Sequence, residues 1–189
     1  MQQKLLKKAL FYEYLTIAWN VFEGIVCIAI GLLSGSIALL AYGLESGVEV
    51  FASAVVVWDL KGGKKTREKI ALRLIGFAYF TVSLYIFIDA LTSLFTHKHP
   101  DKSLPGIVFI IITIGVMLCL GLIKKNIGVK MRSGTVLADA KFTLIDGALA
   151  GTVLIGLVLN ALFGWWWADQ LMALLLAAVA FREGIKEIF

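Results

Sequence analysis

Six stretches of mostly apolar residues, at about 10–33, 37–60, 70–95, 104–123, 135–163 and 166–181, take up most of the chain. Crossing a hydrocarbon core requires about 20 predominantly apolar residues, and backbone polar groups at that depth must be satisfied within the segment itself. The expected fold is therefore an all-α, integral membrane six-helix bundle. With 60% hydrophobic residues and only two prolines in 189, the chain has little from which to build a water-facing surface. The first stretch follows Lys4, Lys7 and Lys8 as a signal peptide would. It is nevertheless too long, contains Glu13, Asn20 and Glu23, and lacks a small-residue cleavage site, so it reads as a retained helix. The last stretch is the shortest and is expected to continue toward Ile185. No segment is long or polar enough for a second domain. Residues 1–189 are expected to form a single transmembrane domain with no soluble C-terminal domain.

Basic residues orient the bundle. Lys4, Lys7, Lys8, Lys61, Lys64, Lys65, Arg67, Lys69, Arg73, Lys124, Lys125, Lys130, Arg132, Arg182 and Lys186 all fall at one set of alternating helix ends, against Lys98 and Lys102 at the other. The positive-inside rule then puts both termini and the 61–69 and 124–133 loops in the cytoplasm. A net charge of +5 is accounted for by topology and calls for no nucleic acid; the lipid bilayer is the partner it implies. Turn residues agree. Ser34-Gly35-Ser36 gives a tight outer turn, Gly62-Gly63 loosens the first cytoplasmic loop, Pro100 and Pro105 bracket the second outer loop, and Gly164 with Trp165-Trp166-Trp167 marks the last.

Carboxylates inside these stretches carry the functional signal, because an ionisable side chain in a membrane is costly unless something binds it. Glu45 and Glu49 are four apart and share one helix face. Glu23, Glu45, Glu49 and Asp146 all fall within about two turns of the middle of their stretches. Asp139 precedes Asp146 by seven residues, on the same face but roughly 10 Å nearer the cytoplasm, where it suits an access vestibule or proton relay. Asp89 lies toward the outer end of its helix, and Asp59 and Asp169 read as boundary residues. Several carboxylates in a low-dielectric interior repel one another and lose hydration. A divalent cation relieves both penalties, and its binding expels protons. The structural alternative is a set of protonated acids that only tie helices together.

Ser34-Gly35-Ser36-Ile37-Ala38-Leu39-Leu40-Ala41 followed by Glu45-x-x-x-Glu49 resembles the second-helix region of the cation diffusion facilitator family. Ala138-Asp139-Ala140 leading to Asp146 resembles the fifth, and Gly164-Trp165-Trp166-Trp167-Ala168-Asp169 the start of the sixth. The resemblance implies a transporter moving zinc or a related divalent ion out of the cytoplasm, through the cell membrane, in exchange for protons by alternating access. It also implies paired ligands from helices two and five, which by position are Glu45 and Glu49, then Phe142 and Asp146. Phe142 is a departure, since it cannot ligate a metal and stands where many zinc-transporting members have histidine or aspartate. Glu23 or Asn20, on one face of the first helix, would supply replacement oxygen. An all-oxygen shell leaves manganese, iron and cobalt open beside zinc. A second departure expected from the sequence is the lack of the family's cytoplasmic metal-binding domain, and a homodimer is then expected to be held by membrane helices. Gly31-x-x-x-Gly35, Gly43-x-x-x-Gly47 and Gly147-x-x-x-Gly151 provide surfaces either for that dimer or for packing within one chain.

The remaining candidates are weaker. His97 and His99 beside Asp101 form a histidine pair in an outer loop, where a solvated role competes with metal capture at the exit. Lys141 either snorkels to the cytoplasmic surface or offsets Asp139 and the central acids. Cys27 and Cys119 read as buried small apolar residues. No phosphate loop, nucleophile and base pairing or His-Glu-x-x-His occurs, so an enzyme and any bound cofactor are not expected. The alternative to a transporter is a non-transporting membrane partner whose metal site Phe142 has made incomplete.

Overall fold

The computed structural model describes residues 2–62, 65–96 and 99–188. These form six helices: α1 (Gln2–Ser34), α2 (Ile37–Gly62), α3 (Lys65–Phe95), α4 (Leu104–Met131), α5 (Gly134–Phe163) and α6 (Trp166–Ile188). Five are long and apolar enough to cross a membrane; α6 falls short of that standard among the described residues, with Asp169 and Gln170 in its first turns and Arg182 and Glu183 near its end. The expected extension of the sixth stretch past residue 181 is observed. Two expected loops are largely helical instead, since α3 begins at Lys65 and α4 continues through Lys124 to Met131. Lysine, arginine and glutamate sustain helix well, so the basic ends prolong the helices. Gly63, Lys64, His97 and Lys98 lie outside the described residues, as do the side chains of Lys65, Arg67 and Lys69.

Short connections set the topology. Gly35 (φ 68°) and Gly164 (φ 68°) take the left-handed conformation that ends α1 and α5. Arg132 does the same at φ 51° after α4, its N–H reaching the Gly128 and Val129 carbonyls. Ser103 and Ser133 then start α4 and α5 as side-chain caps, accepting from the N–H of Gly106 and Val136. Neighbours joined by two residues, as α1 and α2, α4 and α5, and α5 and α6 are, must run antiparallel. Helix pairing is most extensive for α3 with α6, α4 with α5 and α1 with α2, and α2 also reaches α3, α5 and α6. The surface is apolar, with Leu33 at 85% and Phe95 at 81% exposure, while Glu13, Glu23, Glu45, Glu49, Asp139, Asp146 and Asp169 are buried. That inversion of the water-soluble pattern is what a lipid solvent demands.

Gly31 and Gly43 of the sequence motifs serve packing within the chain. A Cβ on Gly31 would lie 2.9 Å from the Leu40 nitrogen, and one on Gly43 would lie 2.8 Å from Ile28 Cγ1, so these residues let α1 and α2 approach backbone to backbone. Gly47 and Gly151 face open space. The cysteines differ from expectation in one respect: Cys27 is buried, but Cys119 is exposed on the outer face of α4.

Asp169 also corrects the sequence reading, being buried rather than at a boundary. Its Oδ1 accepts from the Ser36 hydroxyl at 2.6 Å and its Oδ2 from the Ala38 N–H at 3.1 Å. The carboxylate of α6 thus caps α2, where unpaired N–H groups and the helix dipole favour negative charge. Nearby, the Asn160 amide donates to the Pro100 carbonyl and the Asp101 N–H to the Ser34 carbonyl, closing this end of the bundle. Asp169→Ala is expected to cost about 2 kcal/mol by stranding those donors, seen as a thermal midpoint lower by about 5 °C in detergent. An unchanged midpoint would show that water replaces the carboxylate without penalty.

Candidate functional site

Glu45 and Glu49 of α2 and Asp146 of α5 are all buried, at no more than 1% exposure. The Glu45 and Asp146 carboxyls face each other within hydrogen-bonding reach. Ionised carboxylates only accept, so this contact requires a shared positive charge, a proton or a metal ion. Tyr42 donates to Asp146 Oδ2 at 3.0 Å. Glu49 is held on its other side, accepting from the Tyr79 phenol of α3 at 2.5 Å, with Thr143 Oγ1 3.5 Å from its second oxygen. Tyr42 lies three residues before Glu45, and Thr143 three before Asp146, so each lies on the helix face that carries the neighbouring acid. Glu45 Oε2 and Asp146 Oδ1 are left without a hydrogen-bond donor.

Glu23 of α1 faces this group, with Asp146, the Tyr42 phenol, the Thr113 hydroxyl and the Trp19 indole as its neighbours. Neither of its oxygens has a geometrically satisfied hydrogen bond, nor does either end of the buried Asn20 amide. Buried polar groups left this way mark a place that accommodates water or an ion. Among the described residues, however, no three acidic, histidine or cysteine side chains converge closely enough to hold an ion as they stand. Glu49 is turned toward Tyr79, and Glu45 and Asp146 toward each other. A shell that included Glu49 would need its carboxylate to leave Tyr79.

Phe142 lies one turn from Asp146, 2% exposed, with its ring stacked on Tyr79 at 5.2 Å between centroids and 26° between planes. It packs with Val48, Ala52, Val55 and Ala180 and so backs the phenol that binds Glu49. Asp139 is buried against Lys124 of α4, which also meets Glu13 of α1 at 3.1 Å. The sequence groups Lys124 with a cytoplasmic loop; in the fold it is 1% exposed. Lys141 does not meet Asp139: it is half-exposed and binds Glu183 of α6 at 3.0 Å. Asp59 accepts from Thr135 at 2.6 Å, joining α2 to the start of α5. Of the histidine pair, His97 lies outside the described residues and His99 sits 4.8 Å from the Trp166 ring.

Tyr42, Tyr79, Thr113, Thr143, Glu13 and Lys124 are the functional neighbours that sequence reasoning leaves unassigned. Helical spacing could have found Tyr42 and Thr143. No comparable signal points to Tyr79, because polar and apolar residues are spread around α3 with no preferred face.

The chain is 24% identical over 187 residues to Transmembrane protein 163 of Xenopus laevis, covering 95% of this chain and 66% of the relative. It is 26% identical over 184 residues to Magnetosome protein MamB of Magnetospira sp. (92% and 61%). With Cation-efflux pump FieF of Shewanella oneidensis the identity is 30% over 173 residues (83% and 58%). The chain spans less than two thirds of the length of these curated relatives. Residues 14–189 match the cation efflux transmembrane domain, and the chain belongs to the cation efflux, or cation diffusion facilitator, family.

Proposed function

We propose that this chain exports a divalent cation, zinc first and manganese, iron or cobalt next, in exchange for protons by alternating access. Glu45, Glu49 and Asp146 act as ligands, Glu23 or Asn20 supplies a further oxygen, and Asp139 serves the cytoplasmic approach. The observation that carries this reading is the buried contact between the Glu45 and Asp146 carboxyls, with Glu49 one turn away on α2. Such a contact lacks one positive charge. A proton supplies it in the empty site, and an arriving divalent ion supplies more than enough, so that the proton leaves. Tyr42 and Tyr79 hold Asp146 and Glu49 between ions, which keeps the carboxylates apart until a cation draws them together. The whole chain works as one transmembrane transport domain, with both termini in the cytoplasm, in a homodimer held by membrane helices. It performs no catalysis and needs no bound cofactor.

The test is flux in proteoliposomes. Zinc or manganese uptake should drive proton movement in the opposite direction, in a fixed ratio and at zero membrane potential. Ion uptake with no proton counterflow would end the antiport assignment, and no uptake of either ion would favour a non-transporting partner.

A further inference from the structure

Lys124 brings an ammonium into the interior where α1, α4 and α5 meet. Its Nζ lies 3.1 Å from Glu13 Oε2, touches Asp139 Oδ2 and donates to Thr143 Oγ1 at 3.1 Å. Ser53 of α2 lies 3.5 Å from the other oxygen of Asp139, and the second oxygen of Glu13 has no partner. Each of these side chains is at most 2% exposed. The ammonium is thus surrounded by oxygens, the donor set that hard and borderline divalent ions prefer.

Two carboxylates beside one ammonium need one more positive charge where the dielectric constant is low, and in the empty site a proton shared between the Glu13 and Asp139 carboxyls supplies it. A divalent ion in place of the ammonium and that proton also brings the sum to zero. Lysine is suited to yield that place, since its head rides on four methylenes and makes single, non-planar contacts. The group is also on a route. Asp139 is seven residues, about 10 Å of helix, before Asp146, and Thr143 bridges the ammonium to the Glu49 side of the central acids at 3.5 Å.

We propose that Glu13, Asp139 and Thr143 form a second divalent-cation site between the basic end of the bundle and the central carboxyls, with Lys124 as its built-in competitor. The ammonium fills the site when no ion is passing and is displaced when one arrives. Selectivity is set in part there, because only an ion that displaces a tethered charge goes on to Glu49.

The experiment counts Mn2+ and Zn2+ bound to the full chain in nanodiscs by equilibrium dialysis. Lys124→Met keeps most of the side-chain volume and removes the charge. Followed over a range of free ion, it should take up the second ion at least about tenfold more tightly than the wild type, whose ammonium the ion must displace, and Lys124→Met with Glu13→Gln should lose that gain. Equal affinity for the second ion in wild type and Lys124→Met overturns the proposal. A wild type that binds no ion, beside a Lys124→Met that binds one, would remove the central site and leave this one standing. Should Lys124→Met fail to fold when prepared without metal, Mn2+ or Zn2+ present throughout should restore a monodisperse protein. Failure to restore it overturns the proposal equally.

Discussion

Glu49→Gln and Asp146→Asn each reduce metal flux by at least about a hundredfold, the loss expected when a ligand and its negative charge are both removed. Both changes are close to isosteric. Tyr79 can still donate to the amide oxygen introduced at position 49, as it does to Glu49 Oε1 at 2.5 Å. Tyr42 can likewise donate to the amide introduced at position 146, as it does to Asp146 at 3.0 Å. Fold and helix packing are therefore retained, and a thermal midpoint within about 2 °C of wild type checks this. What the amides lose is the ability to exchange a proton for a cation. Neither can neutralise an ion, and neither can take up the proton that returns the empty site to its resting state. Asp146→Asn has a second consequence, because the Glu45 carboxylate could then accept from the new amide and would no longer need a shared positive charge. Proton counterflow should fall with metal flux in both variants. Flux at wild-type levels in both, in protein of normal stability, would remove these residues from the transport path.

How far the fold can be read from the sequence depends on the physical signal available. Six apolar runs, their order and their alternating basic ends are legible because bilayer thickness leaves few other solutions. That Glu45, Glu49 and Asp146 lie near one depth is legible too, since helical rise converts sequence position into depth, but the turn of Glu49 toward Tyr79 is not. Depth, however, is only one of three coordinates. Asp169 reads as a boundary residue because it lies near a helix end; the turn at Gly35 and Ser36 folds over it and buries it as the cap of α2. Lys124 reads as solvent-facing because lysines 125 and 130 follow it. It is the one of the three that points inward, and only the packing of α4 against α1 and α5 selects it. Tyr79 is unreadable for a related reason, as a helix whose polar residues favour no one face does not declare which side meets α2.

Phe142→His is expected to shift the preference between zinc and manganese toward zinc by on the order of a hundredfold, measured as the ratio of competing uptake rates. Manganese is satisfied by oxygen donors, whereas imidazole adds a nitrogen that zinc binds more strongly. Position 142 is one helical turn from Asp146, and its ring already stacks on the Tyr79 phenol that holds Glu49, 5.2 Å between centroids. A histidine there would occupy part of the same space and face the same acid. It would also compete for Glu49, loosening the hold of Tyr79 and lowering the cost of the rotation that a metal shell including Glu49 requires. The substitution replaces a large ring with a smaller one in the cluster of Val48, Ala52, Val55 and Ala180, so about 1–3 kcal/mol of packing is lost. Stability and selectivity should thus move independently. Phe142→Leu serves as the control, losing the ring without gaining a ligand and leaving the zinc to manganese ratio where it was. An unchanged ratio in Phe142→His would place residue 142 behind Tyr79 at all stages of the cycle, as packing for the phenol alone.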